Sequence, residues 1–453
     1  MAINPSDSVV MGTLYGSDAM RAVFDETATT RRMLETEAAL ARAQARLGLI
    51  PEDAARAITD AAARDAEIDT AALAASARNV GYPVVGLVRE LSRLSGEAGG
   101  WTHWGATTQD IVDTATVLQV RDGLALIRAG TASVARALAT LAARHRDTVM
   151  AGRTHLQHAL PTTFGLKCAT WMLPLLAHLD RIDEMRPRVE VVAFGGAAGT
   201  LASLGEHGIA VAEGLAAELG LGVPPAPWHV CRDGLAEAVG VLGLICGSLA
   251  KMATDVILLA QTEVAEVSEP HVTGRGSSST MPQKRNPIAS EYILAAARMV
   301  HALVAVMQGA MAQDHERGTG PWQTEPLALP QAFVLTHGAL LHARTIAEGM
   351  VVDPARMRRN LDASAGLIMA EAVMMRLAPL LGREAAHHVV RHACDAALRD
   401  GGTLADALAA EPAVAAQLDR VAIAALVDPA TYLGSAGAFI DRALARAAAV
   451  CGQ

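Results

Sequence analysis

A chain of 453 residues with 38 Lys plus Arg against 47 Asp plus Glu, net charge −9, has no basic excess with which to hold nucleic acid or an anionic membrane. It is 51% hydrophobic but only 3% aromatic, so its apolar content is aliphatic and rich in alanine, a composition suited to closely packed helices. The cysteines Cys168, Cys231, Cys246, Cys394 and Cys451 are widely spaced with no CxxC pair, which argues against a disulfide framework or a zinc site.

The amino terminus, MAINPSDSVV, has no basic stretch followed by an apolar one, so no secretory signal is expected and the cytoplasm is the expected compartment. Thr30 to Leu47 reads as an amphipathic helix stopped by Gly48, and Pro51-Glu52-Asp53 opens the next. The loop GGWTHWGATTQD at 99–110 leads into a long Ala/Leu pattern from Thr108 to Arg146. Pro161 to Arg186, Asp233 to Glu269 and Pro287 to Gln313 are patterned alike, each long for a globular helix. Val239 to Val264 is the most apolar stretch but contains Lys251 and Asp255, charges that are costly inside a bilayer. It reads as a helix within a protein, with no membrane as partner. Short β-branched runs such as Val189 to Val192 do not alternate, so no sheet is expected. After Val352-Asp353-Pro354 the helices shorten, one running from Arg383 to Arg399. The pattern predicts an all-α chain: an N-terminal helical domain at 1–105, a long-helix bundle at 106–353 and a C-terminal helical domain at 354–453.

Polar chemistry concentrates in the loops. The richest runs Gly274-Arg275-Gly276-Ser277-Ser278-Ser279-Thr280-Met281-Pro282-Gln283-Lys284-Arg285-Asn286-Pro287. Its glycines let successive backbone N–H groups converge on an anion, its serines offer a base or nucleophile, and Lys284 and Asn286 add donors. This run resembles the GSSxMPxKxNP signature of the fumarase/aspartase superfamily. Two further segments extend the resemblance in the right order. His103 to Thr114 is similar to HxGxTSxDxxDT, with Thr108 where serine is common, and Gly152-Arg153-Thr154-His155-Leu156-Gln157-His158-Ala159 is similar to the second segment.

The resemblance implies a three-domain, all-α subunit whose long central helices build a homotetramer, with each active site drawing on three subunits. It implies that Ser279 is the catalytic base, removing a proton from carbon beside a carboxylate, and that Lys284, Asn286, Thr107 and Thr108 hold that carboxylate. Ser278, Gln157 and His103 join them as binding residues, and Arg317 aligns with a substrate-binding arginine able to grip a carboxylate bidentately. His155 takes the place of the general acid, oriented by Glu291. A small polycarboxylate is the expected substrate. Neither a metal-ligand cluster nor a dinucleotide or phosphate motif is present, so no cofactor is expected. The loop from Thr273 to Ser279 is expected to be mobile when empty.

Beyond the motifs, Asp314-His315-Glu316-Arg317, 346–362 and 428–434 resemble the 3-carboxy-cis,cis-muconate lactonizing branch. His155 departs from that branch, which has tryptophan there, and agrees with lyases that expel nitrogen. Trp322 and Pro326 replace the residues that serve a nucleotide in adenylosuccinate lyases. The reading placed first is therefore a C–N lyase that releases fumarate from an aspartate- or succinate-derived compound, and the alternative is 3-carboxy-cis,cis-muconate cycloisomerization.

Overall fold

The computed structural model describes residues 4–270, 281 and 283–451, and helices make up nearly all of its regular structure. The all-α expectation holds. The chain divides into two compact units, each assembled from three stretches: 1–130, 178–247 and 292–341 in one, and 131–177, 248–291 and 342–453 in the other.

In the first unit the Glu26–Arg46 helix begins four residues earlier than the apolar pattern suggested. Asp25 is its N-cap, accepting from Ala28 N at 2.7 Å, and that polar signal lies outside the periodic stretch. Gly48, with φ of 71°, ends the following turn as expected. Glu52–Ala62 has Pro51 as an extended N-cap, not as its first helical residue. Leu34, Leu40, Ile58, Leu87, Leu91, Ile111, Leu118 and Leu215, each 0–1% exposed, join these helices in one core. Each such side chain contributes about 2 kcal/mol by leaving water. The Thr108–Arg144 helix starts at the predicted residue, inside this core.

The second unit holds the main departure. Val149–Thr154 and Gln157–Thr163 form an antiparallel hairpin where no strand was expected, and the helix that follows runs Phe164–Val189 instead of starting at Pro161. The two turn residues, His155 and Leu156, both take left-handed conformations, φ 49° and 64°. Hairpins normally place Asn-Gly in such a turn, so the sequence carried no turn signal. The register shifts between Ala151 and Arg153, at Gly152, where a Cβ would lie 2.8 Å from the Leu160 carbonyl oxygen. Ala151 packs with Leu361, Ile368, Met369 and Ala372 to seat the hairpin's base. A shorter pair, Val267–Ser268 with Val351–Val352, is also antiparallel. A separate core of Val373, Leu377, Ala386, Leu404 and Leu408 joins the shorter C-terminal helices.

The other long helices span Asp233–Ala260, Ile288–Gly309 and Glu325–Gly349. Asp233–Ala260 thus stops well short of Glu269. Thr108–Arg144, Asp233–Ala260 and Ile288–Gly309 are long and apolar enough to cross a bilayer by length and composition alone. The charges inside the second are satisfied within the chain: Lys251 pairs with Asp255, which also accepts from Trp171 Nε1 at 2.7 Å.

Candidate active site

The first unit gathers polar residues around the N-terminus of Thr108–Arg144. Asp110 is fully buried and accepts from the backbone N of Thr107 (2.9 Å), Gly195 (2.8 Å) and Gly196 (3.0 Å), and from His229 Nε2 at 2.7 Å. One carboxylate therefore fastens the helix start to the 194–200 loop. Thr107 and Thr108 are half-exposed at the positive end of a 37-residue helix, a favourable place for a carboxylate.

Arg317 lies beside them. Its guanidinium donates to Gln109 Oε1 (3.2 Å) and to the carbonyls of Gly196 (3.3 Å) and Ala197 (2.9 Å). Those acceptors are neutral, and among the described residues no carboxylate pairs with it. Its charge is left for an anion.

Beneath this layer lies a buried ion cluster that the sequence reading missed. Arg232, 1% exposed, bonds bidentately to Asp113 (2.6 and 3.1 Å) and to Glu325 (2.8 and 2.5 Å), and its guanidinium stands 4.7 Å from the Trp228 ring centre. Burial works against the guanidinium's charge, but Asp113 and Glu325 outweigh it and hold the Arg232 pKa above its ordinary value. Asp113 also accepts from Trp322 Nε1 (2.9 Å) and from Gln109 Nε2 (3.0 Å). The side chain that receives Arg317 is thus held by the cluster.

His103 pairs through Nδ1 with Glu37 Oε1 at 2.6 Å. Glu37 is 1% exposed and its second oxygen has no hydrogen-bond partner, while His103 keeps one edge open to solvent. Burial of the imidazole disfavours its charge, yet the Glu37 hydrogen bond and charge, with Asp110 beyond, raise its pKa overall. The pair therefore stabilises the fold fully below the ordinary imidazole pKa, and that contribution is lost as pH rises through the raised one. In a proton NMR titration His103 should titrate above a free imidazole. Glu37→Gln, which keeps the burial and removes the charge, should bring it below. An unchanged titration would mean that the carboxylate does not hold the proton there.

The second unit carries the other site residues. His155 and Gln157 are exposed at the hairpin tip. Arg153, two residues before the turn, bonds bidentately to the fully buried Glu266 (2.9 and 2.6 Å), which Asn360 Nδ2 also meets at 2.8 Å. Burial and the Arg153 charge push the exposed-edge His158 below its ordinary pKa. Glu269 accepts from Ala289 N (3.0 Å), Ser290 N (2.8 Å) and Ser290 Oγ (2.8 Å), capping the Ile288–Gly309 helix at the end of the signature loop. Lys284 is exposed and Asn286 half-buried. Glu291 is exposed, and among the described residues no hydrogen bond joins it to His155; the expected pair is not formed within one chain. Ser278 and Ser279, and the expected mobility of their loop, lie outside the described residues.

Asp113 was read as part of the first motif segment, whereas Arg232, Glu325, His229 and Glu37 were absent from the sequence reading. Arg232 stands directly before Asp233 at the start of a long helix, so no isolated charge marked it in the sequence.

Residues 14–302 match the family described as Lyase, and residues 366–443 match the one described as Adenylosuccinate lyase C-terminus. A 3-carboxy-cis,cis-muconate cycloisomerase from Pseudomonas aeruginosa is 47% identical over 94% of this chain and 94% of its own. The crystal structure of a fumarate lyase from Mesorhizobium sp. BNC1 is 50% identical and matches with a TM-score of 0.90, covering 95% of this chain and 98% of that one. That of the 3-carboxy-cis,cis-muconate lactonizing enzyme from Pseudomonas putida matches with a TM-score of 0.93 at 43% identity, covering 98% of this chain and 100% of that one.

Proposed function

Since this chain belongs to the fumarase/aspartase superfamily and is an enzyme of its lyase family, we propose that it converts 3-carboxy-cis,cis-muconate, or a close polycarboxylate analogue, to a lactone. The comparisons back this reading better than the C–N cleavage that the sequence placed first. The observation that carries it is near-full-length likeness to cycloisomerases, together with an Arg317 guanidinium that, among the described residues, bonds only to neutral acceptors beside a helix N-terminus.

In the proposed reaction a substrate carboxylate oxygen attacks across a C=C bond. The C–O bond forms, the π pair moves to the carbon beside a second carboxylate, and that carbon takes a proton. Atoms and electrons balance without an oxidant or reductant. Ser279 is the group that delivers the proton, or removes it in reverse. Lys284, Asn286, Thr107, Thr108 and Arg317 hold the carboxylates on which charge builds, and His103, whose pKa Glu37 raises, adds a further donor. No leaving nitrogen needs protonation in this direction, so His155 serves binding. We propose that four copies assemble the complete site. Leu244 (52% exposed), Met299 (50%) and Val306 (41%) leave apolar side chains uncovered on two of the long helices.

The second reading, C–N cleavage to fumarate, is favoured by His155 in place of tryptophan. Incubation with carboxymuconate and a panel of N-substituted aspartates distinguishes the two: lactone is expected, and fumarate without lactone overturns the proposal. His155→Trp sharpens the comparison. It should leave lactone formation within about tenfold of wild type while abolishing any C–N cleavage, because an indole cannot donate a proton to a departing amine.

A further inference from the structure

Glu37 carries a cost that the fold alone does not require. It is 1% exposed on the Glu26–Arg46 helix, whose Leu34 and Leu40 belong to the apolar core, and its Oε2 has no hydrogen-bond partner among the described residues. An apolar side chain there would avoid burying a charge. His103, which Glu37 meets at 2.6 Å, is held in a conformation uncommon for a non-glycine residue, φ 59°. Two turns further along the same helix, Gln44 Nε2 donates to the Trp104 carbonyl at 2.6 Å, so one helix grips the 103–104 loop twice. That loop abuts the carboxylate-binding face: a Cβ on Gly196, whose carbonyl accepts from Arg317, would lie 3.5 Å from the Gly105 carbonyl oxygen.

An ionised carboxylate only accepts, so the Glu37 bond keeps a hydrogen on Nδ1 of His103. The other ring nitrogen, Nε2, has no partner among the described residues. With Nδ1–H fixed, the neutral ring presents a lone pair at Nε2 and turns a carboxylate away. Only the imidazolium donates there. The charged groups that act on the ring are Glu37 from its helix and Asp110 from the start of Thr108–Arg144, and Asp110 is itself bonded to His229. Together they outweigh the burial that disfavours the charged ring. A carboxylate arriving at Nε2 adds a further negative charge beside it and favours the ring's proton still more.

We propose that Glu37 is a positioning residue: it holds the Nδ1 edge of His103 so that Nε2 donates to a substrate carboxylate only from the protonated ring, and binding at alkaline pH therefore draws in a proton. This rests on the reading of the site as one for a polycarboxylate. Calorimetric titration of the full-length enzyme with tricarballylate, in buffers of differing ionisation enthalpy, counts the protons taken up. This saturated tricarboxylate has neither a C=C bond nor a leaving group, so the result is independent of which product the enzyme forms. Uptake should rise from near zero at about pH 6 to most of a proton per site at about pH 8, and affinity should fall over the same range. Glu37→Gln keeps an acceptor for Nδ1–H but removes the charge. It should move both changes down by about one pH unit and weaken binding about tenfold at neutral pH. His103→Gln should abolish the uptake. The wild-type measurement stands even where a variant fails to fold. No tricarballylate binding, no uptake by the wild-type enzyme, or uptake retained by His103→Gln each overturns the proposal. So does a Glu37→Gln enzyme weakened equally at every pH, which would mark the carboxylate as merely structural.

Discussion

Ser279→Ala should lower turnover by about 10³-fold, the scale on which a positioned acid–base group acts, while KM changes little. The assignment rests on the frame Ser279-Thr280-Met281-Pro282-Gln283-Lys284-Arg285-Asn286, in which alanine removes one hydroxyl and leaves the backbone donors and the carboxylate-holding side chains in place. A serine hydroxyl is a poor base in water. It exchanges a proton with carbon only where fixed N–H groups stabilise the alkoxide and water is excluded. Removing it should therefore cost kcat, not affinity. The variant should keep wild-type helicity by circular dichroism and a mass by light scattering of four chains. Turnover comparable to wild type would remove Ser279 from the chemistry. A monomeric mass in both proteins would remove the shared site.

Arg232→Met should be the most destabilising substitution in the first unit, by about 3–5 kcal/mol in denaturant unfolding at neutral pH. The cost arises because Asp113 and Glu325, 1% and 4% exposed, would face each other in the interior without a cation. Two such carboxylates cannot both stay ionised, so one takes up a proton and its folded pKa rises above the unfolded value. A raised carboxylate pKa penalises the folded state increasingly as pH rises. The deficit against wild type should therefore be largest near neutral pH and shrink as pH falls toward the ordinary carboxylate range. Adding Asp113→Asn and Glu325→Gln should recover most of the loss. A variant within about 1 kcal/mol of wild type at neutral pH would show that the cluster adds little to stability.

The long helices were legible because Ala and Leu recur at helical spacing over many turns, as in Thr108–Arg144, whose start was read to the residue. What escaped was information that local pattern does not hold. Asp25 capped a helix from outside its apolar stretch. The 149–163 hairpin turns on His155 and Leu156 in left-handed conformations, with neither asparagine nor glycine to announce them and with Pro161 inside its second strand. Of the site, the residues carried in sequence motifs were named. Arg232 could not be, because its partners lie 119 residues before it and 93 after it and no periodicity links them. Glu37 looks like one more polar residue of a helix until the fold brings His103, 66 residues on, against it. Such pairings exist only in three dimensions, and here they hold the groups that were legible.

Carrying out the reaction on carboxymuconate in deuterium oxide tests the proton transfer itself. The wild-type enzyme should yield a lactone with one solvent deuterium on the carbon beside a carboxyl group, and Ser279→Ala should yield almost none. Lactone formed at wild-type rate by Ser279→Ala, or no lactone from the wild-type enzyme, would contradict a proton handled at that residue.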